Sequence, residues 1–163
     1  MKANVFAICA VVCGFLLASP CIAVGQEGNA GSKLEVHVKY SGTGTVDDKH
    51  KIYVALWDSP DFANKDMVPS AVQATSSKDG TVTFDHVTKT QVYVSAAYDP
   101  SGQWDAQSAP PEGSSLGLYS KTPGTPAPID LKSRRKTAID LAFDDSVKMK
   151  GGKATPMTTS EQE

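Results

Sequence analysis

The side chains best suited to chemistry lie in the stretch YDPSGQWD, residues 98–105. Oxygen-bearing side chains recur there at every second position, and calcium is bound by about six to eight oxygens, usually including several carboxylates. The stretch therefore offers Asp99, Ser101 and Asp105 as candidate ligands of a structural calcium ion. The alternative is a turn, because Asp-Pro-Ser-Gly places Pro second and Gly fourth in a favourable β-turn. We prefer the turn and predict no cofactor.

Aromatic and polar side chains near the predicted strand ends suggest a second kind of site, for a carbohydrate. A flat ring stacks on the apolar face of a sugar, while amides and carboxylates hydrogen-bond the sugar hydroxyls. The candidate ligand-binding residues are Trp57, Asp99, Gln103, Trp104, Asp105 and Glu112, with Tyr98 and Tyr119 as further rings. The alternative is that the rings are partly buried edges of the core.

Catalysis has weaker support in the sequence. Glycoside hydrolysis needs a pair of carboxylates that flank the scissile bond. Such a pair could come from five acids if they converge: Asp58, Asp61, Asp99, Asp105 and Glu112. The histidines at positions 37, 50 and 86 are dispersed in the sequence, so nothing nominates a His-acid partnership that could activate a serine nucleophile. We predict a non-enzymatic protein and keep a carbohydrate-active enzyme as the alternative.

The first 25 residues are typical of a secretory signal peptide. Lys2 precedes an apolar run over residues 5–17, and small residues follow the helix-breaking Pro20. Cleavage after Gly25 is preferred to cleavage after Ala23. All three cysteines lie in this segment, so the mature chain would hold no disulfide and no membrane span. The predicted location is the periplasm or the exterior.

The remainder of the chain suits one domain of near-neutral charge. The formal net charge of the 163 residues is −2, which gives no electrostatic case for a nucleic-acid partner. We expect a flexible lead-in over residues 26–33, one domain over residues 34–145 and a disordered tail over residues 146–163.

Short strands separated by turn residues account for the domain. Alternating or continuous apolar patterns predict strands over residues 34–40, 51–57, 70–76, 81–84, 92–98 and 136–143, with short edges at 116–119 and 128–131. Asp79-Gly80 predicts a tight hairpin, and no window suits a long amphipathic helix. The expected fold is all-β: a single antiparallel β-sandwich of about seven strands, immunoglobulin-like or transthyretin-like.

Two segments carry a resemblance to a known family. VYVSAAYDPSGQWD and PPEGSSLGLY resemble a family of exported bacterial β-sandwich proteins, a domain of unknown function. In that family a strand ends in H-D-x-N-x-N-G-x-x-D and a Pro-Glu-Gly segment follows. Asp99, Asp105 and Glu112 match the motif, whereas Tyr98 replaces its His, and Ser101 and Gln103 replace its asparagines.

The wider fold type is similar to transthyretin-like and carboxypeptidase-regulatory-like modules, which mostly serve as binding or spacer domains. Transthyretin-like hydrolases use a His and Arg cluster and a Tyr-Arg-Gly-Ser ending. This chain has neither, so the resemblance does not imply that activity. Taken together, these features predict an exported binding or structural module whose partner is a cell-envelope protein or a surface polymer.

Overall fold

A computed structural model describes residues 31–62, 67–132, 135–151 and 153–156. The predicted signal peptide lies outside these residues, as do the first part of the predicted lead-in and the end of the predicted tail. The described residues form ten β-strands, and they contain no helix long and apolar enough to cross a membrane. The strands are β1 (Ser32–Tyr40), β2 (Ile52–Trp57), β3 (Ala71–Thr75), β4 (Asp79–Val87), β5 (Gln91–Tyr98), β6 (Ser115–Leu118), β7 (Ile129–Asp130), β8 (Lys136–Phe143), β9 (Val147–Lys150) and β10 (Lys153–Pro156).

The strands form two sheets, as the expected β-sandwich requires. The small sheet has the order β4-β1-β8, and the large sheet has the order β10-β9-β6-β5-β2-β3, with β7 paired to the start of β5. The all-β fold is confirmed, but the expected purely antiparallel arrangement is wrong in one place. β1 and β8 are parallel over their whole length, because β8 reaches the free edge of β1 after crossing over from the large sheet rather than through a hairpin.

The core lies between the sheets and follows the alternating residues of the sequence. Alternate positions of a strand point to opposite faces, and the inward positions of β1, β2 and β5 are almost completely buried. Two predicted inward faces are confirmed, one at Val92, Val94, Ala96 and Tyr98 and the other at Ile139, Leu141 and Phe143. Apart from Ala97 and Ala127, the buried apolar residues of the described chain belong to a single cluster.

The predicted lead-in and tail are both too long. β1 starts at Ser32, whose buried hydroxyl donates to the Lys132 carbonyl at 2.8 Å. The tail prediction fails because residues 147–150 form β9, in which the Met149 N–H donates to the Ser114 carbonyl at 2.9 Å. Gly151 follows with a positive φ of 54°, which suits the tight turn into β10.

The predicted hairpin at Asp79-Gly80 is wrong. Both residues lie in β4, opposite Lys39 and Val38 of β1, and Gly80 is not among the glycines with positive φ. The chain at this point crosses from β3 in the large sheet to β4 in the small sheet, so no pairing joins the two strands. Turn-forming residues therefore mark a change of sheet rather than a hairpin.

Asp145 ties the two sheets together through a half-buried polar network. Its Oδ1 accepts hydrogen bonds from the hydroxyls of Tyr40 in the small sheet, at 2.6 Å, and Ser115 in the large sheet, at 2.5 Å. Its Oδ2 accepts from the Thr43 N–H at 2.8 Å, and Lys148 Nζ lies 3.0 Å from Oδ1. Burial acts to raise the pKa of Asp145, but these donors outweigh it and hold the pKa well below its ordinary value.

We expect Asp145→Asn to destabilise the protein by roughly 2–3 kcal/mol, because it removes the charge that Lys148 and the two hydroxyls face. The matched control is Asp144→Asn, which keeps the acceptor for the Ser146 N–H and should cost less than about 0.5 kcal/mol. Urea denaturation at pH 7 measures both. Since the folded pKa is depressed, the difference between wild type and Asp145→Asn is present above the ordinary pKa of 3.8 and shrinks as pH falls towards the depressed value. Equal stability of the two variants would contradict this role of Asp145.

The outer face of the small sheet is charged. Lys33 lies 3.3 Å from Asp85, and Lys136 lies 2.8 Å from Glu35. Between these pairs, His37 Nε2 is 2.6 Å from Asp79 Oδ1 and His37 Nδ1 is 3.0 Å from Asp140 Oδ1, so one imidazole joins all three strands. The bonds to Asp140 and Asp79 raise the pKa of His37 above 6.5, because both ring nitrogens must carry a proton to donate to both carboxylates.

Because the pKa of His37 is raised in the folded state, its contribution to the free energy of unfolding is fully present below pH 6.5. That contribution is lost as pH rises through the raised pKa. We therefore expect wild type to lose stability as pH rises above 6.5, and His37→Gln to flatten this slope. His86→Asn is the control, because Asn tolerates the left-handed φ of 57° found at His86. Urea denaturation across this pH range measures the effect, and an unchanged slope in His37→Gln would contradict it.

Candidate binding face

The outer face of the large sheet differs from that of the small sheet because it carries no formal charge on its central strands. The register of β2 with β3 and β5, and of β5 with β6, places one set of outward positions side by side. We call this set the aromatic face. It consists of Tyr53, Ala55, Trp57, Val72, Ala74, Tyr93, Ser95, Ala97, Leu116 and Leu118.

One aromatic pair lies at the end of β2, where the strand meets the loop that follows it. Trp57 stacks on Phe62 with a centroid distance of 5.1 Å and an angle of 20°, and its Nε1 donates to Ser95 Oγ at 2.9 Å. Val68, in the segment leading to β3, is 82% exposed. Trp57 and Phe62 are themselves half-buried, so the stacked pair at this end of the face is partly accessible to solvent.

A second aromatic pair lies at the start of β2. Tyr53 and Trp104 meet edge to face, with centroids 4.9 Å apart and an angle of 68°. The Tyr53 hydroxyl donates to the Trp104 carbonyl at 2.9 Å, and Trp104 Nε1 donates to the Ser108 carbonyl at 3.2 Å. The loop after β5 is thereby folded over the aromatic face.

A groove of about 220 Å³ runs between this loop and the edge strand β3. Its lining residues are Tyr53, Val72, Gln73, Ala74, Asp105, Ala106 and Gln107. Ala106 has a φ of 61°, a left-handed conformation that costs a non-glycine residue roughly 1–2 kcal/mol. Such strained residues concentrate at functional sites, and this one forms the wall of the groove.

Asp99 organises the loop from a buried position. The residue is 3% exposed, and its carboxylate accepts from the Ser101 N–H and hydroxyl and from the N–H groups of Gln103 and Trp104, at 2.6–3.1 Å. Burial acts to raise the pKa of Asp99, but these donors outweigh it and the pKa lies below its ordinary value. This geometry is that of the turn preferred from the sequence.

The structure lends no support to a calcium site in this loop. Both oxygens of Asp99 serve its own loop, the Ser101 hydroxyl points at Asp99, and Asp105 Oδ1 accepts from the Gln107 N–H at 3.0 Å. Across the described part of the chain, no three His, Cys, Asp or Glu side chains are grouped to hold a metal ion.

The carboxylates named as a possible catalytic group lie at opposite ends of the sandwich. β2 and β5 are antiparallel, with Ile52 opposite Tyr98 and Trp57 opposite Tyr93. The loop after β2, with Asp58 and Asp61, therefore lies roughly 20 Å from the loop that starts at Asp99, given about 3.3 Å per residue. Asp58 instead binds the Ser70 hydroxyl at 2.6 Å and Lys89 at 3.1 Å.

The other predicted site residues are divided between the groove and the rest of the molecule. Trp104 packs on Tyr53 and Asp105 lines the groove, while Trp57 lies farther along the same face. Gln103 and Glu112 are exposed but do not line the groove. Tyr98 is buried, with its hydroxyl donating to the Thr45 carbonyl at 2.9 Å, and Tyr119 packs against the core.

Sequence reasoning missed Tyr53, Gln73 and Gln107 as groove residues. One signal was present: KIYVALW is apolar on both faces, which means that its outward positions must be covered by something other than the sandwich core. The two glutamines carry no such signal, because the loop and β3 meet only through the tertiary fold.

Comparison with family models, with curated proteins and with solved structures found no match to this chain. The resemblance to exported β-sandwich proteins therefore stays a prediction, and the binding face must be interpreted from its own geometry.

We expect Asp99→Ala to cost about 1–3 kcal/mol, because it leaves several N–H donors of the loop without their acceptor. Asp105→Asn is the control, since its amide oxygen can still accept from the Gln107 N–H, and it should change stability by less than about 0.5 kcal/mol. Thermal unfolding with calcium and with EGTA completes the test. A stable Asp99→Ala variant would contradict the structural role, and a Tm raised by calcium would restore the metal hypothesis.

Proposed function

We propose that the protein is an exported, non-enzymatic β-sandwich module that binds a cell-envelope partner through the aromatic face of its large sheet. The predicted signal peptide supports the location. The aromatic face and the groove beside β3 support binding. The partner class that we favour is a surface polymer, and a cell-envelope protein is the alternative.

The asymmetry between the two outer faces is the observation that carries this proposal. Both sheets follow the same two-residue alternation, yet the small sheet covers its outer face with ion pairs, and the central strands of the large sheet place rings and aliphatic side chains there. Exposed apolar surface costs solubility, so a contiguous patch of it typically marks an interaction site. The large side chains of the face are half-buried, so each keeps part of its surface accessible: Tyr53, Trp57, Val72, Tyr93, Leu116 and Leu118.

An enzyme acting on carbohydrate is the weaker candidate. Its carboxylates would have to lie on either side of one bond, less than about 10 Å apart, and the antiparallel pairing of β2 and β5 separates Asp58 from Asp99 by roughly twice that distance. Asp99 itself is occupied by its own loop. A groove this shallow also gives a reaction little protection from water.

We expect Ala74→Lys to abolish binding of the mature protein to cell-envelope fractions, because it places a charge on the aromatic face. Ala138→Lys is the matched control: Ala138 is also an exposed alanine on an edge strand, but it lies opposite Glu35 on the charged face, so binding should persist. Co-sedimentation with envelope fractions measures both variants. Equal loss in the two variants, or hydrolysis of envelope polysaccharide that Asp105→Asn abolishes, would contradict the proposal.

A further inference from the structure

This inference rests on the proposed function and names the ligand of the same face. We propose that the groove between β3 and residues 105–107 binds one sugar unit of an uncharged polysaccharide, and that the Trp57–Phe62 pair contacts the same chain farther along. The proposal follows from the chemistry of the groove, from its charge and size, and from the position of the second aromatic pair.

The groove combines the two kinds of group that recognise a sugar. Tyr53 supplies an aromatic ring, and Val72 and Ala74 supply aliphatic surface, for the apolar C–H face of a pyranose. Gln107 is an exposed residue that lines the same space, and its amide can both donate to and accept from hydroxyl groups. An uncharged ligand rich in hydroxyls satisfies both sets of groups together.

Charge narrows the ligand class. Asp105 is the only ionisable group among the groove residues apart from the Tyr53 phenol, so a carboxylated or sulfated polymer would meet a like charge without a cation to compensate it. A basic ligand would find a single exposed carboxylate, and exposed ion pairs contribute little. The lining therefore favours a neutral polysaccharide over a charged one.

Size and spacing indicate a chain rather than a small molecule. The groove holds about 220 Å³, below the range of about 300–1,000 Å³ that encloses drug-sized ligands, so it suits one unit of a longer molecule. Tyr53 and Trp57 lie four residues apart on β2, which is about 13 Å at about 3.3 Å per residue. A polymer lying along β2 would reach both aromatic pairs without bending.

Affinity gel electrophoresis in neutral polysaccharides (xylan, hydroxyethyl cellulose, dextran and mannan) tests the proposal, with alginate as the acidic comparison. We expect at least one neutral polymer to retard wild type and alginate not to do so. Gln107→Ala should weaken binding roughly 3- to 10-fold, the value of one lost hydrogen bond, and Trp57→Ala should weaken it at least as much. Gln103→Ala is the matched control, because Gln103 is an exposed amide of the same loop that does not line the groove.

The outcomes separate this inference from the proposed function. If no neutral polymer retards the protein but envelope fractions still bind and Ala74→Lys abolishes that binding, the partner is a protein and the sugar assignment is wrong. Stronger retardation by alginate, or equal effects of Gln103→Ala and Gln107→Ala, would also overturn it. A stable dimer in sedimentation experiments that Ala74→Lys dissociates would show that a second copy covers the face. If neither polymer nor envelope fraction binds, both proposals fail.

Discussion

The carboxylate of Asp145 is the constraint on which the arrangement of the two sheets depends. It lies where the chain leaves β8 in the small sheet and enters β9 in the large sheet, and it accepts hydrogen bonds from one hydroxyl of each. A charged group in a half-buried position needs several donors to offset its lost hydration. Because those donors come from β1, β6, β9 and the loop after β1, the charge can be satisfied only when both sheets are correctly stacked.

The same alternation of side chains gives the two outer faces opposite properties. On β1, the outward residues are Lys33, Glu35, His37 and Lys39, and the first three pair with charged residues of the neighbouring strands. On β2, the outward residues are Tyr53, Ala55 and Trp57, which are uncharged and half-buried, with Trp104 packed on Tyr53 and Phe62 on Trp57. The fold alone requires no such difference, because charged residues on either outer face would keep the protein soluble. The stability of the sandwich therefore does not explain why the outer face of the large sheet is uncharged.

Local patterns allowed the strands to be predicted, but not their partners. The alternation in residues 92–98 and 136–143 identifies β5 and β8 almost to the residue, because each face of a strand is read directly from consecutive side chains. The direction of β8 beside β1 depends on which sheet the chain enters before β8. A short stretch of sequence does not contain that information. β9 was missed for a related reason: Lys148 points inward to Asp145, so the strand lacks an apolar inward pattern.

The site was predicted less well than the fold, and the antiparallel geometry explains why. Loops that follow two antiparallel neighbours leave opposite ends of a sheet, so Asp58 and Asp99 could not have met once β2 and β5 were paired. The elements that do meet are the loop after β5 and the aromatic face of the large sheet. Asp99 accepts hydrogen bonds from the loop, the loop packs Trp104 on Tyr53, and residues 105–107 of the same loop form the wall of the groove. In the binding mode proposed above, a preorganised wall would lower the entropy lost on binding. The Asp99 carboxylate would then act through the shape of the loop and not as a direct ligand.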